Sequence, residues 1–147
     1  ELELMRRKNS NFDQLKAEVK TVLSLKDILD LQRLIHETVQ VGKKVMDYIL
    51  NLCIATRPDE TYTSQKIKTD IHQYIRLGAS PRATEFLLAL SKSFAFSRHR
   101  DFVNFNDVVT CAAHVLRHRI LLNSLALSQQ ITTDMLVNNL IKLIDPY

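Results

Sequence analysis

The chain has 147 residues, of which 46% are hydrophobic and 24% are charged, and its formal net charge is +4. This composition is that of an ordinary soluble domain and excludes a disordered tail. A chain of this length buries about 70% of its unfolded surface, so it can form a core without disulfides or metals. No apolar run approaches the roughly 18 residues of a membrane span, so we expect neither a span nor a secretory signal. We therefore predict one compact domain over residues 1–147.

The cysteines indicate the cellular compartment of this domain, and the first residues indicate its relation to a longer chain. Cys53 and Cys111 each lie inside an apolar helical pattern, which is not the disulfide framework of a small secreted protein. We therefore expect a cytoplasmic location. Residues 1–8 have the pattern of the middle or end of an amphipathic helix with no capping residue in front of it, so we expect a fragment of a longer protein.

The spacing of apolar residues predicts an all-α fold. With two glycines and three prolines, the chain has little room for hairpins, and most of its apolar spacing is helical. We expect a bundle of about five to seven helices with at most very short strands. A short helix can form near residues 14–23, and the capping-box spacing of Ser24 and Asp27 opens the next one. One face of that helix is marked by Leu25, Ile28, Leu29 and Ile35.

A further helix precedes a polar segment. Its apolar face is formed by Val41, Val45, Tyr48, Ile49, Leu52 and Cys53. The helix is expected to end before Arg57-Pro58, because proline disfavours a helical residue in front of it. Residues 58–70 are rich in Thr, Lys, Asp and Glu and predict an exposed loop.

The second half of the chain contains the clearest helix starts. Ser80 is predicted as an N-cap and Pro81 as the first helical residue, where its missing N–H costs nothing. We expect the following helix to be buried along a stripe of Ala83, Phe86, Leu87, Leu90 and Phe94, widened by Leu88 and Ala95. Asn104 and Asp107 open another helix, with Val108, Ala112, Val115 and Leu116 facing inward. Thr132 or Thr133 opens the last helix, which runs through Met135, Leu136, Leu140 and Leu143.

Four short strings follow one another along the second half of the chain. They are GASPRA at 78–83, RHRDFV at 98–103, Asp107-Val108, and VLRHR at 115–119. This order resembles the helical lid of MoxR-type AAA+ ATPases, closely over residues 78–120 and more loosely over residues 24–57, where Leu31-Gln32 and Thr56-Arg57 match. The chain departs from the family at His99, where glycine is usual, and at residues 104–106. Residues 58–70 do not align.

The resemblance implies a specific role for the first turn of the GASPRA helix. Arg82 matches the sensor-2 arginine, which reaches from the lid to the phosphates of ATP, with Ser80 supporting it as the helix N-cap. A guanidinium is a permanently charged planar fork that suits phosphate oxygens, and the first turn of a helix is electropositive. Spacing alone leaves an alternative, in which Arg82 is a solvated first-turn residue.

The resemblance also implies partners and cofactors that this chain does not contain. ATP and Mg would be held by an upstream AAA+ core, neighbouring subunits would form a ring, and a von Willebrand A domain protein would be a further partner. The fragment alone should be catalytically silent, because ATP hydrolysis needs a GxxxxGK[ST] loop. In the only Gly-Lys pair, Gly42-Lys43, the first glycine is replaced by Glu37 and the Ser or Thr by Lys44. We predict a helix boundary with exposed lysines there.

The histidines of the VLRHR helix raise the question of a metal site. Asp107, Cys111, His114 and His118 share one helix face, but four ligands along one straight helix cannot converge on a tetrahedral ion. We expect these residues to have structural roles, and no metal. We expect the His118-Arg119 pair to tie this helix to the GASPRA helix, and residues 98–100 to form a solvated, basic helix end.

The alternative function is a basic helical module that binds nucleic acid. It is suggested by a pI near 9.2 and by basic runs at 6–8, 98–100 and 117–119. The runs are scattered over several helices, and no set of stacking aromatic residues accompanies them, so nucleic acid is not the expected partner. A protein-interaction surface is the third option, since AAA+ proteins form rings.

Overall fold

The computed structural model describes residues 1–3, 5, 20–58 and 70–144. The chain forms two compact units, residues 1–34 and 35–147. The helices in the described ranges are α1 (Leu25–Thr38), α2 (Lys43–Ile54), α3 (Arg82–Ser97), α4 (Phe105–Leu116), α5 (Ser124–Ser128) and α6 (Thr133–Leu143). A 3-10 turn (Asp70–Tyr74) and two short strands, β1 (Ile75–Leu77) and β2 (Leu121–Leu122), complete the fold. The predicted all-α class is confirmed, and no helix in these ranges could cross a membrane.

The start of α1 follows the predicted capping box. The Ser24 N–H donates to Asp27 Oδ2 at 2.8 Å, and the Asp27 N–H donates to Ser24 Oγ at 3.2 Å. No residue of α1 is buried, so the apolar face predicted around Leu25 and Ile28 remains exposed. Of the helix predicted over residues 14–23, residues 14–19 lie outside the described ranges, and residues 20–23 are not helical.

The core of the second unit lies between α2, α3, α4 and α6. α3 packs against both α2 and α4, and α6 packs against α4. The predicted face of α2 is confirmed at its five helical positions, since Val45, Tyr48, Ile49, Leu52 and Cys53 are all buried. Val41, predicted with them, lies before the helix and is only partly buried. α2 begins after Gly42, with Lys43 and Lys44 exposed, which confirms the predicted helix boundary at this Gly-Lys pair. The predicted loop at 58–70 lies outside the described residues, except for exposed Pro58 and Asp70.

The buried face of α3 differs from the predicted one. The buried residues are Ala83, Leu87, Ser91 and Ala95, which recur every four residues. Phe86 and Leu90, predicted to be inward, remain 52% and 38% exposed. The buried face therefore combines Leu87 with three small residues, and Phe86 and Leu90 are left on the outer side of the helix. The sequence prediction was therefore wrong for Phe86 and Leu90.

The starts of α4 and α6 match the predictions more closely. Asn104 and Asp107 form a capping box, and the four inward residues predicted for α4 are buried. Thr132 caps α6 by accepting from the Met135 N–H at 3.2 Å. Leu136 and Leu140 are buried as predicted, but Met135 and Leu143 are 47% and 53% exposed. Val137 is buried instead, because the inward face of α6 is rotated toward it.

Two short backbone pairings join segments that are distant in sequence. β1 and β2 are antiparallel, with Ile75 opposite Leu122 and Leu77 opposite Leu121. The connections after α1 and after α3 run parallel, since the Val103 N–H donates to the Gln40 carbonyl at 3.0 Å. The first pairing holds the chain just before α3, and the second holds the chain just after it.

Candidate functional site

Arg82 is the first residue of α3, and its side chain is exposed. Within the described ranges, its guanidinium has no hydrogen-bond or ion-pair partner. The next residue, Ala83, is fully buried, so the backbone that carries Arg82 lies directly on the core. Arg82 is therefore a charged side chain on a backbone that is held by the core, and its guanidinium is exposed to solvent.

The turn before Arg82 differs in detail from the predicted cap. Pro81 occupies the cap position with helical dihedrals of φ −54° and ψ −31°, and no side chain caps the helix. The carbonyl groups of Ser80 and Pro81 accept from the N–H groups of Ala83 and Thr84 at 2.9 and 3.0 Å. The Ser80 hydroxyl therefore does not cap the helix as predicted. Because Pro81 has no N–H and the next donors are partly used, Arg82 would meet an anion mainly through its side chain.

Ala79 is held on both sides of its peptide backbone by the end of α2. Its N–H donates to Thr56 Oγ1 at 2.8 Å, and its carbonyl oxygen accepts from Arg57 Nε at 3.0 Å. Thr56 and Ala79 are 0% and 1% exposed. We call these two hydrogen bonds the Thr56–Arg57 clamp. It fixes the chain three residues before Arg82.

Gly78 allows the clamp to close. A Cβ atom built on Gly78 would meet the Thr56 carbonyl oxygen and would lie 2.6 Å from the Thr56 carbonyl carbon and 2.7 Å from Arg57 Cα. Any larger residue would force the two segments apart, since these are backbone atoms. The glycine of the GASPRA string is therefore required by close backbone approach, not by an unusual φ angle.

The end of α2 is itself well connected. The Thr56 hydroxyl donates to the Cys53 carbonyl oxygen at 2.7 Å, so it both donates and accepts. His72 Nε2 lies 2.8 Å from the Ala55 carbonyl oxygen. Burial raises the pKa of the Cys53 thiol, which makes this cysteine a packing residue and not a reactive thiolate.

A second polar cluster fixes the opposite end of α3. Arg100 donates two hydrogen bonds to Asp107, from its two terminal nitrogens, at 2.7 and 2.6 Å. Burial raises the pKa of Asp107, but hydrogen bonds from Arg100 and Asn104 and the charges of Arg100 and Arg98 outweigh it, so the pKa is lowered overall. The prediction of a solvated basic turn is therefore wrong for Arg100.

The turn between α3 and α4 contains His99, where the chain departs from the family pattern. His99 has a φ of 55°, in the left-handed region. The Arg100 N–H donates to the Ala95 carbonyl at 3.1 Å and the His99 N–H to the Phe96 carbonyl at 2.9 Å, which is a Schellman motif. Glycine is favoured at this position of the motif, and the resemblance indicates that glycine is usual in the family.

The remaining arginines of the basic runs are also engaged within the domain. Arg119 lies over the Phe86 ring at 4.7 Å, which ties the HR pair to α3 as predicted. Arg98 lies over Phe94 at 5.0 Å, and Arg117 Nε is 3.1 Å from Asp134 Oδ1. These contacts disperse the positive charge and satisfy it internally, which disfavours a nucleic-acid surface. Residues 6–8 lie outside the described ranges.

The residues considered as metal ligands are separated by their roles. Asp107 pairs with Arg100, Cys111 is buried, and His114 and His118 are exposed. In the part of the chain that the structure describes, no three such side chains are grouped to hold a metal ion. Sequence reasoning missed the clamp, although Thr56-Arg57 and GASPRA both stood out as matching strings.

Known proteins with similar sequences and structures agree with this architecture. A family described as the AAA lid domain matches residues 67–140. The chain is 33% identical over 125 residues to the chaperone MoxR1 of Mycobacterium tuberculosis, covering 85% of this chain and 32% of that protein. It is 26% identical over 119 residues to the uncharacterized protein YeaC of Bacillus subtilis, covering 81% of this chain and 33% of that protein. The chain thus spans about a third of the length of these relatives.

A solved structure is similar over almost the whole chain. It is a crystal structure of a protein from Cytophaga hutchinsonii that carries a provisional ATPase assignment. The TM-score is 0.74 at 31% sequence identity, and the match covers 98% of this chain and 42% of that chain. From these matches, the chain belongs to the AAA lid domain family, and it is a lid of the MoxR-type AAA+ ATPases.

Proposed function

We propose that this lid supplies Arg82 to the phosphates of ATP bound by the AAA+ core of its parent ATPase. The observation that carries the proposal is that Arg82 is exposed and unpaired among the described residues, on a helix start fixed by the core and the clamp. Other arginines near the ends of α3 and α4 are engaged with Asp107, Asp134 or aromatic rings. Arg82 therefore has the freedom that a ligand-binding arginine needs.

The residues of this chain fit one part of a nucleotide site. The Arg82 guanidinium suits phosphate oxygens, and the dipole of α3 adds a partial positive charge beside it. The described residues offer no cluster of carboxylates for Mg, so its ligands would come from the core. When bound, ATP supplies the phosphoanhydride bond whose cleavage drives the ATPase. Arg82 would bind and orient its phosphates and balance charge that develops there.

The wider role follows from the family. We propose that nucleotide-dependent movement of the lid is coupled to remodelling of partner proteins, as the chaperone description of the mycobacterial relative suggests. Assembly with neighbouring subunits into a ring, and association with a von Willebrand A domain protein, belong to the same proposal. So does a cytoplasmic location, which suits an ATP-driven machine whose two cysteines are free thiols.

The test joins this lid to its AAA+ core and replaces Arg82. Arg82→Ala should lower ATP turnover by roughly 10²-fold, the scale seen when one preorganised donor is removed from a transition state. Arg82→Lys should recover only part of the loss, because it keeps the charge but not the planar fork. The matched control is Arg76→Ala, at an exposed arginine of β1, which should retain turnover. Unchanged turnover and nucleotide affinity in Arg82→Ala would contradict the proposal.

A further inference from the structure

We infer that Thr56 and Arg57 are positioning residues for Arg82: the clamp on Ala79 sets where the Arg82 side chain begins. This inference rests on the proposed function of Arg82. It adds two residues that lie just after the end of α2, 23 and 22 positions before their partner Ala79. It assigns to the end of α2 a part in nucleotide binding, although neither residue is proposed to touch the nucleotide.

The clamp immobilises the two peptide groups that flank the Ala79 Cα atom. Ala79 receives one hydrogen bond on its carbonyl and gives one from its N–H, and both partners are consecutive residues. Two bonds to adjacent residues fix orientation as well as position. The bond between the Ala79 N–H and Thr56 is buried, where losing a partner leaves a costly unpaired donor.

Little conformational freedom remains between Ala79 and Arg82. Pro81 has its φ fixed by its ring, and its dihedrals are already helical. The Ser80 carbonyl accepts from the Ala83 N–H at 2.9 Å, which closes the turn around Arg82. A displacement of Ala79 is therefore passed along the chain to the Arg82 backbone.

Core packing alone does not fix the first turn of α3. Burial of Ala83 and Leu87 fixes the axis of α3, but its first turn is held only by the short-range bonds from the Ala83 and Thr84 N–H groups to the Ser80 and Pro81 carbonyls. No side chain caps this turn. The clamp does not bond to the N–H groups of this turn, but it fixes Ala79, from which the chain enters the turn that carries Arg82.

The experiment is a double-mutant cycle in the lid joined to its core, with affinity for a fluorescent ATP analogue in the presence of Mg as the readout. Thr56→Val keeps the shape of the side chain but removes the acceptor for the Ala79 N–H. We expect it to weaken nucleotide binding roughly fivefold or more, and to have no further effect when Arg82 is already alanine. Thr56→Ser retains the hydroxyl and should bind normally. Hydrogen exchange at the Ala79 amide should be faster in Thr56→Val than in Thr56→Ser.

The outcomes separate the two ideas. If Thr56→Val weakens binding equally with and without Arg82, or not at all with Arg82 present, the positioning role is wrong while the proposed function stands. If Arg82→Ala alone leaves both ATP turnover and nucleotide affinity unchanged, the proposed function fails, and that arm is independent of Thr56. If Thr56→Val prevents folding, the same double-mutant cycle is measured with Arg57→Leu in its place. This variant removes the partly exposed donor to the Ala79 carbonyl and keeps an apolar side chain.

Discussion

Arg100 and Asp107 form a bidentate ion pair that joins the end of α3 to the start of α4, at nitrogen–oxygen distances of 2.7 and 2.6 Å. The same carboxylate accepts from the Asn104 N–H at 2.9 Å and completes the capping box of α4. One carboxylate that is only 2% exposed thus satisfies three donors from two different segments.

Replacing Asp107 should therefore be costly. Asp107→Ala is expected to lower the free energy of unfolding by about 3 kcal/mol, because it removes a cap and leaves Arg100 without its carboxylate partner. Urea unfolding followed by circular dichroism measures this loss. The control is Asp27→Ala, which removes the exposed capping box of α1 but no ion pair, and which should cost clearly less. Equal losses in the two variants would show that the ion pair adds nothing to the cap.

The ion pair also predicts how stability depends on pH. The pKa of Asp107 is lowered in the folded state, so folding favours the charged carboxylate. Its contribution is complete above the unfolded-state pKa of about 3.9, and it is lost as the pH falls toward the folded-state pKa. The urea midpoint should therefore drop steeply below about pH 4. In Asp107→Asn, which does not titrate, this part of the drop should disappear; an unchanged slope would mean that other carboxylates cause it.

His99 offers a stabilising substitution. Its φ of 55° is unfavourable for a residue with a Cβ atom and costs glycine nothing. His99→Gly should raise the free energy of unfolding by about 1 kcal/mol. His99→Ala keeps a Cβ atom and is expected to give no such gain. Thermal unfolding of the two variants measures the difference, and a gain of equal size in both would place the strain in the imidazole and not in the backbone.

Replacing the two glycines by alanine should affect stability very differently. Gly78→Ala places a methyl group against the backbone of Thr56 and Arg57 and should lower the free energy of unfolding by about 3 kcal/mol, the upper range for overpacking. Gly42→Ala meets nothing within 4 Å, and its φ of −67° suits any residue, so it should be nearly neutral. A tolerated Gly78→Ala, measured in the same urea titration, would mean that the end of α2 and the GASPRA segment can separate without loss.

Local signals in the sequence predicted local structure well. The capping boxes at Ser24 and Asn104 and the Thr132 cap were all confirmed, because each depends on a side chain and a backbone group only three residues apart. The end of α2 before Arg57-Pro58 was confirmed for a similar reason, since proline acts on its immediate neighbour.

Contacts between distant segments were predicted less well. α3 is apolar on most of its circumference, so its periodicity allowed more than one buried face, and the choice depended on how α3 packs against α2 and α4. Ser91 and Ala95 were favoured over Phe86 and Leu90 by that packing, which a helical wheel does not contain. The clamp on Ala79 likewise depends on the tertiary fold, because nothing in the spacing of Thr56 and Ala79 predicts that they meet. The role of Arg82 stays a prediction.

α3 is one continuous helix of 16 residues, with Arg82 at one end and the Arg100–Asp107 pair just beyond the other. At a rise of 1.5 Å per residue it is a rod of about 24 Å, so a tilt of about 5° around its Arg100 end moves Arg82 by about 2 Å. A displacement of that size is enough to break a hydrogen bond between a guanidinium and a phosphate oxygen. Because Ala79 is bonded to Thr56, we expect such a tilt to move the segment after α2 as well, so that α2 and α3 would move together.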